Sequence, residues 1–219
     1  EQVDRVGRLK RLVADMLGGN LEASGLIMLN EELDSNLNLT LNSLRIERTL
    51  RHATREGGYR YWGALDAQIA WQGSLMNPTR GAEGVGQVEL KDARLEKLPL
   101  GGAVFDDLGD AMRADRDGKP ANDRAKFVFR FDDDHVRFST IDAVTSWAAL
   151  RGKGDVYFDS KLDLRVNAGP VEKLQSMLGP IGDLMGAITD QITAFKIEGT
   201  LDDPKVKLMV APGLSGGKK

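Results

Sequence analysis

The chain has 219 residues, 41% of them hydrophobic, and a formal net charge of -3 from 30 basic and 33 acidic side chains. That length suffices for one large all-β domain or two small ones around a real core, and so even a mixture of charge lacks the basic face that nucleic acid requires. Cysteine is absent, which excludes disulfides and thiolate chemistry but leaves the compartment open. The apolar run Leu26-Ile27-Met28-Leu29 is a strand's worth, far short of the ~18–20 residues a membrane-spanning helix needs. The first residue is Glu1 and no signal-peptide pattern follows, so the chain reads as an excised or processed fragment with any anchor or export signal upstream.

Residues 1–19 have the spacing of an amphipathic helix. Val3, Val6, Leu9, Val13, Met16 and Leu17 recur at three- and four-residue steps, and Gly18-Gly19 ends the run. Arg5, Arg8, Lys10 and Arg11 would form its solvated face. From there the period becomes two, and residues 20–83 form a first strand group. Leu37, Leu39 and Leu41 alternate with Asn36, Asn38, Thr40 and Asn42, and Tyr59, Tyr61, Leu65, Ala67, Ile69 and Trp71 share one parity. The stretch Met76–Gly86, with Pro78, Gly81 and Gly84, is the candidate boundary to a second β region over 84–211.

In that region Val88 and Leu90 come first, then a helix near 102–114 carrying Val104, Phe105, Leu108, Ala111 and Met112. Phe127, Phe129 and Phe131 follow, facing away from Lys126 and Arg130, then Val136 with Phe138 and Val156 with Phe158. Leu162, Leu164 and Val166 oppose Lys161, Asp163 and Arg165. Over 170–191, Val171, Leu174, Leu178, Ile181, Leu184, Met185 and Ile188 have helical steps, with Pro170 and Pro180 each suited to a first turn and a break at Gly179-Pro180. Phe195 and Ile197, then Val206, Leu208 and Val210, mark the last strands; residues 212–219 read as a disordered tail.

Alternation places one parity on each face of a pleated strand. The separators Asp132-Asp133-Asp134, Asp159-Ser160 and Asp202-Asp203-Pro204 are too short for anything but antiparallel connections. The expected fold is mostly β: a curved antiparallel meander, an open groove or half-barrel, with a few amphipathic helices packed on or capping its apolar face. Either those helices fill the groove and close an ordinary core, or they leave apolar surface that needs a partner.

Reactive constellations do not emerge. Gly213-Leu214-Ser215-Gly216-Gly217 has the letters of a nucleophile elbow without the strand-to-helix setting that makes one work. His52 and His135 have no second His or Cys at metal-ligand spacing, and Asp132–Asp134 lacks the glycine and terminal glutamate of a calcium loop. Gly152-Lys153-Gly154 is not a phosphate loop, Asp106 and Asp107 fall on a solvated helix face, and Tyr59, Tyr61 and Trp62 read as strand aromatics before a sugar platform. The expectation is a non-enzymatic protein with no cofactor and no metal.

Several stretches resemble the C-terminal region of AsmA-like proteins of Gram-negative-type cell envelopes. They are Gly84-Val85-Gly86-Gln87-Val88-Glu89-Leu90 with Leu98-Pro99, then Leu150-Arg151-Gly152-Lys153-Gly154-Asp155-Val156 with Lys161–Leu164, then Ile197-Glu198-Gly199-Thr200-Leu201-Asp202-Asp203-Pro204-Lys205-Val206. Together they cover roughly 84 to 210. The resemblance implies a periplasmic protein tethered to the inner membrane upstream, similar to bridge-like lipid-transfer proteins, that moves phospholipid toward the outer membrane or maintains it. It also implies a groove for phospholipid or other acyl-chain lipid. The lining expected from parity is Leu37, Leu39, Leu41, Ile69, Val88, Leu90, Phe127, Phe129, Phe131, Val136, Phe138, Val156, Phe158, Leu162, Leu164, Val166, Phe195 and Ile197. The alternative is a periplasmic scaffold that docks an envelope protein through a sheet edge or the 170–191 helices.

Overall fold

A computed structural model describes residues 6–48, 62–95, 105, 122–171 and 193–209. The strands are β1 (Val6–Met16), β2 (Gly19–Met28), β3 (Asp34–Arg45), β4 (Ala64–Ser74), β5 (Glu83–Ala93) and β6 (Asp123–Asp132). They continue as β7 (His135–Val144), β8 (Ala148–Tyr157), β9 (Leu162–Pro170), β10 (Thr193–Gly199) and β11 (Pro204–Leu208). All lie in one 11-stranded antiparallel sheet whose spatial order is the chain order. The sheet is therefore a pure meander, with β1 and β11 as its edges and no closure into a barrel. The Met76–Gly86 stretch connects β4 to β5, which pair along their length from Ala64↔Lys91 to Gln72↔Glu83, so the sheet runs through this candidate boundary without interruption.

The amphipathic helix expected over residues 1–19 is overturned: Val6–Met16 is the edge strand β1, paired with β2 from Val6↔Met28 to Met16↔Gly19. Its three-residue step has another cause. The register jumps from Leu9↔Gly25 to Leu12↔Ala23, so a bulge inserts one extra residue and keeps Leu9 and Leu12 on the same face. The Gly18-Gly19 pair does not terminate a helix but helps to turn a hairpin. Leu17 and Gly18 have φ of 51° and 80°, the double positive φ that a two-residue type I′ turn needs.

Bulges of this kind recur with a period of one hairpin. In β3 the step Leu41 to Leu44 spans one residue more than its partners Ala67 to Leu65. In β5 the step Leu90 to Ala93 does the same against Ala125 to Asp123, and in β7 the step Phe138 to Ile141 does so against Gly154 to Gly152. Each lies on an odd-numbered strand, and each carries an apolar pair across the extra residue. The β3 bulge is held by Asp66, which accepts from the Ser43 N–H at 2.7 Å and from Lys91 Nζ at 2.7 Å. Those two hydrogen bonds, Lys91 first, hold the Asp66 carboxyl below its ordinary range.

Buried residues form one cluster running from Ile46, Leu90 and Leu95 through Leu150, Leu162, Leu164 and Val166 to Phe195 and Ile197. Phe105 joins it, meeting Trp147 edge to face with ring centroids 6.0 Å apart. Of the helices expected near 102–114 and 170–191, only Phe105, Pro170 and Val171 fall within the described residues. Pro170 ends β9, opposite Ala148, and the helical state begins only at Val171. His52, Tyr59, Tyr61 and the 212–219 tail lie outside the described residues. Among the described residues no helix is long and apolar enough to cross a membrane.

Candidate functional site: the apolar face of the sheet

Residues directly opposite in an antiparallel pair point to the same face, so the register can be followed from strand to strand. One line runs Ala23, Leu39, Ile69, Gly86, Phe129, Phe138, Gly154, Leu164, Ile197, Val206. The adjacent line runs Leu21, Leu41, Ala67, Val88, Phe127, Ile141, Gly152, Val166, Phe195, Leu208. Flanking lines bring in Leu37, Phe131, Val136, Val156 and Leu162 on one side, and Leu65, Leu90, Ala125, Ala143, Leu150 and Ala168 on the other. The expected lining residues therefore share a single apolar face, with one correction. Phe158 lies past the end of β8, in the turn to β9, where its N–H donates to the Asp134 carbonyl at 3.0 Å.

Sequence parity missed Leu44, Ile141 and Ala143, because the bulges put them out of phase with Leu41 and Phe138 on their own strands. It also missed the glycines. On this face Gly86 stands opposite Phe129 and Gly84 opposite Phe131, while Gly154 stands opposite Phe138. The Phe129 ring fills the space a side chain at 86 would take, and Val166 Cγ1 lies 2.5 Å from where a Gly152 Cβ would sit. The Phe-rich hairpin β6–β7 is thus bracketed by two Gly-x-Gly strands. Its rings interlock: Phe129 lies 5.5 Å from Phe131 and 5.5 Å from Phe138, and Phe127 lies 6.2 Å from Phe138. Edge-to-face and tilted contacts at these distances suit the aromatic quadrupole.

Burial along the face is graded. Leu164 and Ile197 are 3% and 2% exposed, whereas Leu39, Leu41, Ile69 and Val88 are half-buried. At the edges Leu12 is 46% and Leu208 58% exposed.

The opposite face is charged and laced with ion pairs, among them Arg137–Asp155 at 2.9 Å and Arg151–Asp142 at 2.7 Å. Glu198 bridges Lys196 and Lys207 at 2.5 Å each, and hydrogen bonds from Lys196 and then Lys207 lower its carboxyl to about 2. His135 is buried on this side, with Nδ1 2.7 Å from Asp134 Oδ1 and Nε2 2.9 Å from an Arg137 amino group. With Nε2 accepting from that guanidinium, which has no lone pair to offer in return, Nδ1 carries the proton and donates to Asp134. Both ring nitrogens are then engaged. Among the described residues no group of His, Cys, Asp and Glu could hold a metal ion.

No family model matches the chain, and neither does any curated protein or solved structure.

Proposed function

We propose that this chain is a non-enzymatic module of the cell envelope that holds lipid acyl chains on the apolar face of its sheet. In this reading it is part of an AsmA-like periplasmic protein, tethered to the inner membrane, that carries phospholipid toward the outer membrane or maintains that membrane. The observation that supports this best is the registered apolar face, which continues across the sheet from β1 to β11 without a charged residue in its central lines. The sheet curls into an open groove: a bulge bends its strand and raises its twist, and one recurs on each odd strand from β1 to β7. Phe105, the described residue of the 102–114 segment, is buried against Trp147, which favours a cap over part of the groove. A wall without hydrogen-bonding groups gains about 0.8 kcal/mol per acyl methylene it covers and sets no register, so chains are held yet slide.

Protein purified from membranes should carry phospholipid by mass spectrometry, with little headgroup preference. Ile69→Asp, at a half-buried position, should lower bound lipid while circular dichroism stays unchanged, and Gln68→Glu on the polar face should alter neither. Lipid-free parent protein, or a folded Ile69→Asp variant holding as much lipid as the parent, defeats this reading.

The two sheet edges favour a second reading. β11 has 5 residues, begins with Pro204 and carries Lys205 and Lys207, the usual protections of an edge. β1 also carries a bulge and Lys10, but it has 11 residues, no proline, and Leu12, Val13 and Met16 between 40% and 48% exposed. An edge of that kind accepts a strand from a partner protein. Recovery of a stoichiometric protein partner with no lipid would place the chain among envelope scaffolds instead.

A further inference from the structure

On the polar face the register assembles a row of cations that no stretch of sequence contains. Lys153 stands opposite Arg165, Arg165 opposite Lys196, and Lys196 opposite Lys207, across β8, β9, β10 and β11. Neighbouring strands are about 4.8 Å apart, and like charges directly opposite one another destabilise a sheet. The outer half of the row is partly neutralised, because Glu198 bridges Lys196 and Lys207. The inner half is not. The nearby acids are engaged elsewhere: Asp155 pairs with Arg137 at 2.9 Å, and Asp163 lies 3.7 Å from Lys196. Neither Lys153 nor Arg165 has an ion pair or side-chain hydrogen bond among the described residues.

These two cations border a cleft of about 610 Å³ on the same face. Val85 and Val128 line it with apolar surface, the β7 bulge residue Ser139 forms part of its wall, and Arg130 and Arg137 extend its basic side; Asp155 and Asp163 line it too, each already beside another cation. A guanidinium and an ammonium on adjacent strands, without an ion pair of their own and beside a cleft, match the charge of a tetrahedral oxyanion. We propose that Lys153 and Arg165 bind a phosphate group at this cleft, carried by a soluble phosphate ester or by an anionic lipid headgroup. The site lies on the opposite face of the sheet from the apolar surface and does not depend on that surface holding lipid.

The test compares inorganic phosphate with chloride at matched ionic strength, read by melting temperature and by backbone amide shifts. The parent should show a saturable rise in Tm with phosphate only, with shifts centred on residues 139, 153 and 165. Lys153→Gln and Arg165→Gln should each weaken the apparent affinity about tenfold. Both variants should melt higher than the parent without phosphate, since each relieves the like-charge contact; Lys205→Gln, away from the cleft, should bind as the parent does. Vesicles of phosphatidylglycerol and phosphatidylcholine, against phosphatidylcholine alone, then separate the sources. Phosphate-sensitive binding to the anionic vesicles assigns a headgroup, and phosphate binding without vesicle binding assigns a soluble ester. An equal effect of chloride, or undiminished phosphate binding by the Lys153→Gln/Arg165→Gln double variant, overturns the site. Ile69→Asp should leave phosphate binding intact, which keeps this outcome separate from that of the apolar face.

Discussion

Gly86→Ala tests whether the glycines flanking the β6–β7 hairpin are there to seat aromatic rings. A Cβ at this position would lie 2.7 Å from Phe129 Cε2 and 3.1 Å from Cε1. Carbon contacts are favourable near 3.5–4.0 Å, so the ring must withdraw by about 1 Å. It has little room, being 9% exposed and held at 5.5 Å from both Phe131 and Phe138. Overpacking of this kind costs about 1–3 kcal/mol. The backbone at Gly86 is outside the left-handed region, so alanine also restricts the unfolded chain and returns about 0.4–1 kcal/mol. The net expectation is a loss of about 1 kcal/mol, or a fall of roughly 0.5 M in the urea midpoint for an m-value near 2 kcal/mol/M. In a Phe129→Leu background the obstacle is gone, and the same substitution should become neutral or stabilising. The difference between backgrounds, read from a double-mutant cycle in urea, should be about 1–2 kcal/mol. If Gly86→Ala costs the same with and without the ring, or stabilises the parent, ring seating is not why glycine stands there.

The first hairpin and the acid titration give further tests. Leu17 occupies the left-handed region at φ 51° in a turn whose next residue is Gly18, so Leu17→Asn, giving the preferred Asn-Gly pair, should raise stability by about 0.5–1 kcal/mol in chemical denaturation. Unchanged stability would mean that the turn carries no strain. Glu198, lowered from the ordinary 4.5 to about 2 by Lys196 and then Lys207, stabilises the folded state fully above pH 4.5. That contribution drains away as pH falls from about 4.5 toward 2. Melting curves over this window should fall less steeply for Glu198→Gln than for the parent, and equal slopes would show that the bridge adds nothing.

The apolar face was readable where alternation is unbroken and side chains are large. Phe127, Phe129 and Phe131, or Leu162, Leu164 and Val166, announce their strand and their face without any structure. It was unreadable where one residue is inserted or where the face is made of glycine. In β1 the inserted residue turned Leu9 and Leu12 into a helix-like step, and in β7 it hid Ile141 and Ala143 behind the wrong parity. In β8 the face reads Leu150, Gly152, Gly154, Val156, and its centre has no side chain to count. The Lys153–Arg165–Lys196–Lys207 row lies beyond any local pattern, since each step crosses to another strand and only the register aligns them.

The bulges also make the strands behave like text read in a two-letter frame. Deleting Ser139 from β7 removes the inserted letter and brings Phe138 and Ile141 to the ordinary two-residue spacing, so Ile141 and Ala143 should keep the apolar face while the bend of the bulge is lost. The next turn, at Thr145–Trp147, is anchored independently by its own hydrogen bonds: Thr145 Oγ1 accepts from the Ala148 N–H at 3.0 Å and donates to the Ala148 carbonyl at 3.1 Å. A change of register within β7 should therefore leave the neighbouring hairpins in phase. A sheet built from such self-punctuated hairpins can gain or lose them in pairs of strands while every remaining side chain keeps its face.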